Sequence, residues 1–556
     1  MRTVAEIEAC RQELRDRFPV WQPRSLAGWL DECANRYAVR PFVITDDVTL
    51  TYADVAEQSR RIAAGLAGLG VQRGDRVGMV MANYPEFVTV KFAIARTGAI
   101  AVPFNYLYRT NELGFLLADS GCRVLVTMTG YGALDYQAML DEIVPQWDAP
   151  DFSTTAPDRA LRHVVLLDTD GTARQGVQNV ADLAAIAAPA PQLDVAPDAP
   201  GDMLYTSGTT GSPKGVLVSH DAVLRTAYAS ALTRAYQDGR RILFSLPCYH
   251  MFGYVEGILS AMYVGGAVIP QPSFSAEGYF AGIERHRAND ILCVPTMAVA
   301  MVESAARHDY DLSSLGAVLC GSAPAPIWLW EQVQREFGVD EIVTGYGMTE
   351  CGGAMTLTLP EDPLHLTSET VGRPKLAGAA SVPGTDALVV YETVDGELVS
   401  HGPTTMLGYW NRPAETSATL RNGRLFSGDL GTVRADGYLE LTGRSKELYK
   451  SGGELIMPKE IEDVLQRHPA VSQAFAFGLS NERWGEIGCV VVVPAPEAAP
   501  TEEDVLEHCR KNLARFKVPK RVVFYDAASL PTTPTGKVQK FRLAEEVSSR
   551  AQQEIQ

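Results

Sequence analysis

The stretch 205-YTSGTTGSPKG-215 holds repeated glycines, several hydroxyl side chains, one proline and one lysine. Repeated glycines let backbone N–H groups turn toward a common centre, which suits the oxygens of a phosphate. The hydroxyls add donors, and Lys214 adds a mobile positive charge. Because Gly215 follows the lysine, the stretch is not a Walker A loop. A solvated linker would have a similar composition, but the apolar runs 203-MLY-205 and 216-VLVSH-220 favour a phosphate-binding loop fixed between two strand ends.

Length and composition indicate a globular protein of at least two domains. The chain has 556 residues, of which 46% are hydrophobic and 21% charged. A formal net charge of -18 disfavours nucleic acid or an anionic membrane as the main partner. The nine cysteines include no CxxC pair, which argues against a disulfide framework or a zinc cluster. The first eighteen residues indicate a charged helix rather than a signal peptide, and no apolar run is long enough to span a membrane, so we predict a cytoplasmic protein.

Apolar runs alternate with helical patterns along most of the chain. The strand-like runs are 76-RVGMVM-81, 99-AIAVPF-104 and 123-RVLVT-127, then 242-ILFSLP-247, 267-AVIPQ-271, 291-ILCVPT-296, 317-AVLC-320 and 341-EIVTGY-346. Two series of this kind predict doubly wound, mostly parallel sheets, whose ligand crevices lie at the carboxyl ends of the strands. Thr51 and Asp54 form a potential capping box at the start of a helix.

The remainder of the chain has a different pattern of predicted strands and turns. From about Val371 to Leu441 short strands alternate with glycine and proline turns, which predicts a small β-rich subdomain. After Lys446 a compact α/β segment follows, with strands near 471-VSQAFAF-477, 489-CVVVV-493 and 521-RVVFY-525. The proline-rich stretches 150-PDFSTTAP-157 and 188-APAPQLDVAPDAPG-201 predict loops.

Four further segments combine glycine, hydroxyl, carboxylate and basic side chains. They are 345-GYGMTE-350, 427-SGDLG-431, 443-GRSKELYKSGGELIMPKEIE-462 and 531-PTTPTGKVQK-540. An aromatic ring between glycines can stack on a base, and a hydroxyl with a carboxylate can hold Mg²⁺. A carboxylate between glycines can accept the two hydroxyls of a ribose. Taken singly, 345-GYGMTE-350 and 427-SGDLG-431 are more typical of turns, and the lysine of 531-PTTPTGKVQK-540 is more typical of a solvated surface.

Together with the opening loop, in this order and at these spacings, the segments resemble the adenylate-forming superfamily: acyl-CoA synthetases, adenylation domains of peptide synthetases and luciferases. The resemblance extends from about Thr51 to Leu543. It implies a large N-terminal domain (residues 1–445) that binds ATP and the acid, and a small, mobile C-terminal domain (residues 446–556). In the implied reaction a carboxylate attacks the α-phosphate of ATP, pyrophosphate leaves, and a thiol then displaces AMP.

The resemblance also implies a role for each matching residue. The loop from Thr206 through Ser207, Gly208, Thr209, Thr210 and Gly211 to Lys214 would hold the β- and γ-phosphates. Gly321, Ser322, Ala323 and Pro324 would line one side of the adenine and Tyr346, with Gly347, the other. Thr349 would contact phosphate, and Thr206 and Glu350 would hold Mg²⁺. Asp429 would bind the ribose, and Arg444 would reach the ribose or a phosphate. Lys537 would bridge the acid and the α-phosphate, Lys446 would be the hinge, and Gly452 would line the tunnel for the pantetheine of coenzyme A.

The acid is expected to bind beside 246-LPCYHMFGY-254, which matches the LPxFHxFG stretch of acyl-CoA synthetases. Its contacts would be Tyr249, His250, Phe252 and Gly253, with Gly345 and Met348. Relatives that activate amino acids usually carry an aspartate near this point, and none is present here, so the expected substrate is a hydrophobic acid without an α-ammonium group. A packed core histidine is the alternative interpretation of His250.

The favoured function is therefore an AMP-forming acyl-CoA ligase with ATP, Mg²⁺ and coenzyme A, acting as a monomer or homodimer on a small carboxylic acid. Two alternatives stay open: an acyl-AMP ligase that loads a carrier protein, and a relative that performs only one half-reaction. The absence of an obvious extra segment between Arg421 and Lys446 favours coenzyme A over a carrier protein.

Overall fold

The computed structural model describes residues 2–150, 152, 160–186, 193–206, 213–323, 325–444, 447–451, 454–481, 485–496, 498–513, 517–533, 536 and 538–553. The α-helices are Val4–Arg17, Leu26–Tyr37, Tyr52–Gly68, Pro85–Arg96, Thr110–Ser120, Tyr136–Ile143, Val180–Ala185, His220–Thr233, Ser260–Met262, Ala276–His286, Pro295–Glu303, Ile327–Phe337, Leu364–Glu369, Pro413–Thr419, Pro458–Leu465, Glu502–Asn512 and Lys540–Gln553. A π-helix spans Phe252–Leu259, and 3₁₀-helices span Ala305–Asp309, Thr349–Cys351, Gly378–Ala380 and Ala527–Ser529.

The strands are β1 (Pro41–Ile44), β2 (Thr49–Thr51), β3 (Arg76–Val80), β4 (Ile100–Phe104), β5 (Val124–Met128), β6 (Gly130–Tyr131), β7 (Leu134–Asp135), β8 (His163–Leu167), β9 (Pro200–Thr206), β10 (Lys214–Ser219), β11 (Arg241–Phe244), β12 (Ala267–Pro270), β13 (Asp290–Cys293), β14 (Ala317–Cys320), β15 (Glu341–Val343), β16 (Gly345–Met348), β17 (Gly353–Leu357), β18 (Arg373–Pro374), β19 (Val390–Val394), β20 (Glu397–His401), β21 (Gly408–Tyr409), β22 (Leu420–Arg421), β23 (Arg424–Val433), β24 (Leu439–Arg444), β25 (Tyr449–Ser451), β26 (Glu454–Ile456), β27 (Val471–Asn481), β28 (Gly485–Pro494) and β29 (Arg521–Phe524).

Two seven-stranded sheets carry most of the chain. One has the order β15-β14-β13-β11-β12-β1-β2 and the other the order β21-β10-β9-β4-β3-β5-β8. Their central strands are parallel, whereas the β1–β2, β9–β10 and β10–β21 pairs are antiparallel. Buried strands such as β4 and β5 have no exposed residue, as expected for sheets covered by helices on both faces. The two predicted strand series are thus confirmed as mostly parallel sheets.

The observed bounds of several helices and strands can be compared with those predicted from the sequence. The capping box of Thr51 and Asp54 is formed at the start of the helix Tyr52–Gly68. The run at 291–296 ends earlier than predicted, at Cys293, because Pro295 begins the next helix. The run at 341–346 divides between β15 and β16, which belong to different sheets. Of the proline-rich stretch at 188–201, the last two residues belong to β9.

The β-rich subdomain predicted between Val371 and Leu441 is present. One three-stranded sheet has the order β16-β17-β18, and another sheet holds β19, β20, β22, β23 and β24. Asp395 and Gly396 both have positive φ, 52° and 83°, at the tight turn between β19 and β20. That geometry is typical of an Asp-Gly hairpin turn.

The C-terminal sheet has helices on both faces. Along β28, Val490 and Val492 pack in a core with the helices Pro458–Leu465 and Glu502–Asn512. The alternating residues Val491 and Val493 pack with the helix Lys540–Gln553. β27 and β28 extend beyond the predicted apolar runs because they form a long antiparallel pair. The predicted fold class is confirmed: large doubly wound sheets, a β-rich subdomain and a small C-terminal α/β unit.

All nine cysteines are free thiols. Among the described residues, no helix combines the length and the apolar character needed to cross a membrane.

His220 is a buried imidazole at the base of the β9–β10 hairpin. It begins the helix His220–Thr233, and its Nδ1 accepts a hydrogen bond of 3.4 Å from the Leu26 N–H. A Cβ atom on Gly201 would lie only 2.6 Å from that nitrogen, so the glycine makes room for the ring. Burial, with a smaller contribution from Lys91, lowers the pKa of His220 to about 3.

A pH-dependent loss of stability follows. The unfolded chain binds a proton at His220 below about pH 6.5, whereas the folded chain does not until about pH 3. The free energy of unfolding should therefore fall as the pH drops through this window, by at most roughly 1.4 kcal/mol per pH unit from this residue. Urea unfolding between pH 7 and pH 4 should show a shallower decline in His220→Gln than in the unmodified protein. His365→Gln, which removes an exposed imidazole, is the control. Equal slopes in all three proteins would contradict the assignment.

Candidate functional site

The glycine-rich loop is anchored by an antiparallel strand pair. Thr206 at the end of β9 faces Lys214 at the start of β10, as the flanking apolar runs predict. The loop residues Ser207, Gly208, Thr209, Thr210 and Gly211 lie outside the described residues. Beside the loop, the Tyr205 hydroxyl donates a 2.7 Å hydrogen bond to Asp119, which also pairs with Arg412 at 2.9 Å. Both ends of the loop are therefore held by ordered structure.

Tyr409 on β21 joins two side chains that the sequence assigns to phosphate and metal binding. Its hydroxyl donates a hydrogen bond of 2.9 Å to Oε1 of Glu350. The Nζ atom of Lys214 lies 5.3 Å from the centre of the same ring. β21 is in turn paired with β10, and the Met406 N–H donates to the backbone oxygen of Glu350 at 2.7 Å. One aromatic side chain thus sets the separation of a cation from a carboxylate.

Tyr409 was not predicted from the sequence. The only signal for it is an aromatic pair after a glycine in 408-GYW-410, which is common in β-strands. Its position depends on the pairing of β21 with β10, a contact between residues about two hundred positions apart that local patterns do not reveal.

Tyr346 and Asp429 lie in direct contact. The Tyr346 hydroxyl donates to Oδ2 of Asp429 at 2.5 Å, and both side chains are buried. Burial, followed by the charge of Asp429, raises the pKa of Tyr346 well above its usual range, so the hydroxyl stays a donor. Asp429 on β23 is also the register partner of Arg444 on β24. The structure therefore brings together the residues assigned to adenine and ribose. Of Arg444 it describes the backbone only.

The segment assigned to the other side of the adenine follows β14. Gly321 is buried, and its N–H donates to the Cys293 oxygen at 3.2 Å. Ser322 has a φ of 72°, an uncommon value for a residue with a Cβ, and both Ser322 and Ala323 are exposed. Such backbone conformations concentrate at ligand sites. Pro324 lies outside the described residues.

The expected acid-binding segment forms a turn followed by a π-helix. Nδ1 of His250 accepts a 3.2 Å hydrogen bond from the Phe252 N–H, which leaves Nε2 to carry the proton of a neutral ring. Tyr249, His250 and Phe252 are all partly exposed, as surfaces that contact a ligand would be. The ring of Phe252 faces Gly321, because a Cβ atom there would lie 3.2 Å from it.

Three glycines assigned to the acid or the adenine are required by the packing of neighbouring backbone. A Cβ atom on Gly253 would lie 2.7 Å from the carbonyl oxygens of Leu246 and Pro247. On Gly345 and Gly347 it would lie 2.3 Å from backbone oxygens of β17. These positions require glycine because neighbouring backbone occupies the space. Met348, also assigned to the acid, is half-buried at the end of β16.

The C-terminal unit contacts the large sheets beside the same edge. A Cβ atom on Gly536 would lie 2.8 Å from Val294, which directly follows β13. The segment that carries Lys537 thus approaches the carboxyl ends of the strands, although Lys537 itself lies outside the described residues. Lys446 and Gly452 also lie outside them, so their assigned roles stay predictions.

The residues assigned to magnesium fit a site shared with substrate phosphates. Among the described residues, no group of three or more His, Cys, Asp or Glu side chains could hold a metal by itself. Mg²⁺ is commonly bound through one or two carboxylates and substrate phosphates. Glu350 is buried except for a small fraction of its surface, and with the Thr206 hydroxyl it offers the oxygen donors that such a site needs.

Comparison with known proteins identifies the family. Residues 30–410 match the AMP-binding enzyme family and residues 460–537 the AMP-binding enzyme C-terminal domain. The chain belongs to this family, and the predicted adenylate-forming superfamily is confirmed.

Relatives and solved structures match nearly the whole chain. A long-chain-fatty-acid–CoA ligase, FadD13, from Mycobacterium tuberculosis is 34% identical, over 90% of this chain and 94% of its own. A feruloyl-CoA synthase from an Amycolatopsis species is 33% identical, over 88% and 92%. The crystal structure of the anthranilate CoA ligase AuaEII with anthranoyl-AMP has a TM-score of 0.81 at 25% identity and covers 96% of this chain and 99% of its own. These matches agree with the predicted enzyme class, an AMP-forming acid–thiol ligase.

Removing the Tyr409 hydroxyl should raise the Mg²⁺ concentration that the enzyme needs. In Tyr409→Phe the ring still faces Lys214, but Glu350 loses a hydrogen bond and its orientation. We expect the Mg²⁺ concentration for half-maximal ATP–pyrophosphate exchange to rise by about three- to tenfold, the equivalent of one hydrogen bond. Calorimetry should show weaker binding of ATP with Mg²⁺ and unchanged binding without it.

Tyr438→Phe is the matched control. Its hydroxyl also donates to a carboxylate, that of Asp362 at 2.6 Å, outside the residues assigned to the site. An unchanged magnesium requirement in Tyr409→Phe, or an equal change in both variants, would show that Tyr409 does not orient a metal ligand.

Proposed function

We propose that the protein is an ATP-dependent acyl-CoA ligase that activates a hydrophobic carboxylic acid as its adenylate and transfers the acyl group to coenzyme A. The observation that supports this most directly is the arrangement around Tyr409 and Tyr346. One tyrosine joins the candidate phosphate lysine to the candidate metal carboxylate, and the other joins the candidate adenine and ribose sites. This arrangement suits a nucleoside triphosphate.

The first half-reaction needs position and charge compensation more than covalent help from the protein. The acid carboxylate and the α-phosphate are both anions, so bringing them together requires cations. Lys214 would neutralise the outer phosphates, and bound Mg²⁺ would supply further charge compensation there. Lys537 would lie between the carboxylate and the α-phosphate. The carboxylate oxygen then forms the new bond to phosphorus as pyrophosphate leaves.

In the second half-reaction the coenzyme A thiol attacks the acyl carbon and AMP leaves. We propose that the C-terminal domain, residues 446–556, turns about Lys446 between the two steps, so that Lys537 withdraws and the thiol enters past Gly452. The relatives named as CoA ligases favour coenzyme A over a carrier protein as the acceptor. A cytoplasmic location, a monomeric or homodimeric state and the absence of a nucleic-acid partner stay predictions.

The residues around His250 support a proposal for the class of acid that the enzyme activates. Residues 246–253 contain no carboxylate that could pair with an ammonium group. Burying an ammonium group without a partner costs roughly several kcal/mol, because the charge loses its hydration. An acid with a hydrophobic body and no α-ammonium is therefore the substrate class that this segment favours. The relatives above are named for acids as different as long-chain fatty acids and ferulate, so the relatives do not name this acid.

The test is a panel of carboxylic acids incubated with ATP, Mg²⁺ and coenzyme A. Aliphatic and aromatic acids should yield AMP and thioester in equal amounts, whereas α-amino acids of similar shape should yield neither. Release of pyrophosphate without thioester would favour the one-half-reaction alternative, and thioester only on a carrier protein would favour the carrier-loading one. Efficient turnover of an α-amino acid would contradict the proposed substrate class.

Lys537→Ala should abolish most of the adenylation. Losing a charge directed at a transition state lowers the rate by on the order of 10²–10³. Release of pyrophosphate from acid and ATP should fall by that factor, while conversion of a supplied acyl-adenylate to the thioester should change much less. An equal loss in both assays would show a structural role for Lys537.

Lys446→Pro should separate the two half-reactions. Proline fixes φ near -65° and so restricts the rotation that a hinge needs. Pyrophosphate release should persist, while thioester formation from acid, ATP and coenzyme A should fall by at least about tenfold. Thioester formation at the unmodified rate would exclude Lys446 as the hinge.

A further inference from the structure

The π-helix Phe252–Leu259 begins two positions after His250. His250 and the first two residues of the helix, Phe252 and Gly253, are all assigned to the acid. π-helical turns are rare, and they often occur at functional sites. Gly253 and Gly257 let this one pack closely, because Cβ atoms there would meet the Leu246 oxygen at 2.7 Å and the Phe244 ring at 2.8 Å. Close packing alone does not select the π form over an α-helix of the same residues.

On one side, the π-helix is attached to the strand that leads into the glycine-rich loop. The Tyr254 hydroxyl donates to Oδ2 of Asp202 on β9 at 3.3 Å. Oδ1 of Asp202 forms an ion pair with Lys91 of the helix Pro85–Arg96, and the Lys91 Nζ lies 4.6 Å from the centre of the Tyr254 ring. All three side chains are buried. Asp202 lies four positions before Thr206, the residue at the end of β9 where the glycine-rich loop begins.

A second buried ion pair holds the same helix two residues further on. Oε1 of Glu256 lies 2.7 Å from the Nζ of Lys375, and the side chains are 1% and 0% exposed. Lys375 also donates to the hydroxyl of Ser230 on the helix His220–Thr233. Residues two apart point to different sides of a helix, so Tyr254 and Glu256 hold it from separate directions.

These ion pairs are poorly explained by stability alone. Replacing a buried ion pair with apolar side chains of similar volume is often neutral or stabilising, because the pair must offset its own desolvation. What an apolar pair does not supply is direction: a hydrogen bond fixes the rotation of the helix, whereas apolar contacts tolerate other rotations.

We propose that Tyr254 and Glu256 are positioning residues that hold residues 252–259 in the π form, and that they thereby set which hydrophobic acids fit against His250, Phe252 and Gly253. This inference rests on the proposed function, because it concerns the acid site of the ligase. The Asp202 contact also makes one rigid connection between the acid site and the strand that carries Thr206.

The experiment compares three variants with the unmodified enzyme. Tyr254→Phe removes one hydroxyl. Glu256→Leu combined with Lys375→Met replaces the whole ion pair with apolar groups. Tyr228→Phe is the matched control, since Tyr228 is a buried tyrosine whose hydroxyl has no hydrogen-bond partner among the described residues. Each protein is measured for its melting temperature, its KM for ATP, and kcat/KM across hydrophobic acids graded in length and width. Binding of the same acids is measured by calorimetry, which does not require turnover.

We expect Tyr254→Phe and the double variant to change the ratio of kcat/KM between the longest and the shortest accepted acid by about fivefold or more. The calorimetric affinities should change in the same sense, while the KM for ATP stays within about twofold of the unmodified value. The double variant should melt within a few degrees of the unmodified protein and still show the altered ratio. Tyr228→Phe should keep the unmodified ratio.

A double variant with unmodified stability and unmodified acid ratios would show that the ion pair has only a structural role. Unmodified ratios in Tyr254→Phe would overturn the proposal for that residue, whether or not the double variant folds. Failure of the proposed function is distinguishable, because it would be seen in the unmodified enzyme as neither adenylate nor thioester with any acid, whereas the calorimetric comparison would still decide the role of the π-helix.

Discussion

The site depends on the register between β9 and β10. Pairing Thr206 with Lys214 places the two strand ends that flank the glycine-rich loop side by side. Because β10 also pairs with β21, the same register places Tyr409 beside Lys214 and, through its hydroxyl, beside Glu350. A slip of one residue would turn the side chains of β10 to the opposite face and separate these groups. The positions of the candidate phosphate and metal ligands therefore follow from backbone pairing.

Local charges at the candidate ATP site determine whether it can bind an anionic ligand. The chain carries a formal net charge of -18, yet the candidate ATP site must bind a polyanion. Local cations and backbone N–H groups act over a few ångströms, whereas charges beyond a Debye length of about 8 Å are largely screened. Lys214 near the loop, with Mg²⁺ bound by oxygen donors and phosphates, can therefore outweigh the overall negative charge. The carboxylates of Glu350 and Asp429 are held by tyrosine hydroxyls and so are directed toward specific partners.

Sequence patterns predicted the fold well because its strands are short apolar runs separated by helices that begin with recognisable caps. The capping box at Thr51 and the strand ends around the glycine-rich loop were predicted from neighbouring residues alone. The motifs also identified Tyr346 and Asp429, but not their hydrogen bond, which joins residues 83 positions apart. Tyr409 and the ion pairs of the π-helix were not predicted, since their partners lie on distant strands and helices. The glycines at 253, 345 and 347 have a backbone reason that only the packing reveals.

We propose that the end of the β9–β10 pair, the strand β16 and the segment of β23 around Asp429 together form one ATP site. Hydrogen–deuterium exchange with and without Mg²⁺ and a non-hydrolysable ATP analogue tests this most directly, since it reports backbone protection in each segment separately. Binding should slow exchange in the peptides that cover residues 205–216, 345–350 and 427–431. The protection of all three should rise with the concentration of the analogue along the same binding curve. Protection confined to other segments, or protection of these three at clearly different concentrations, would contradict a single site.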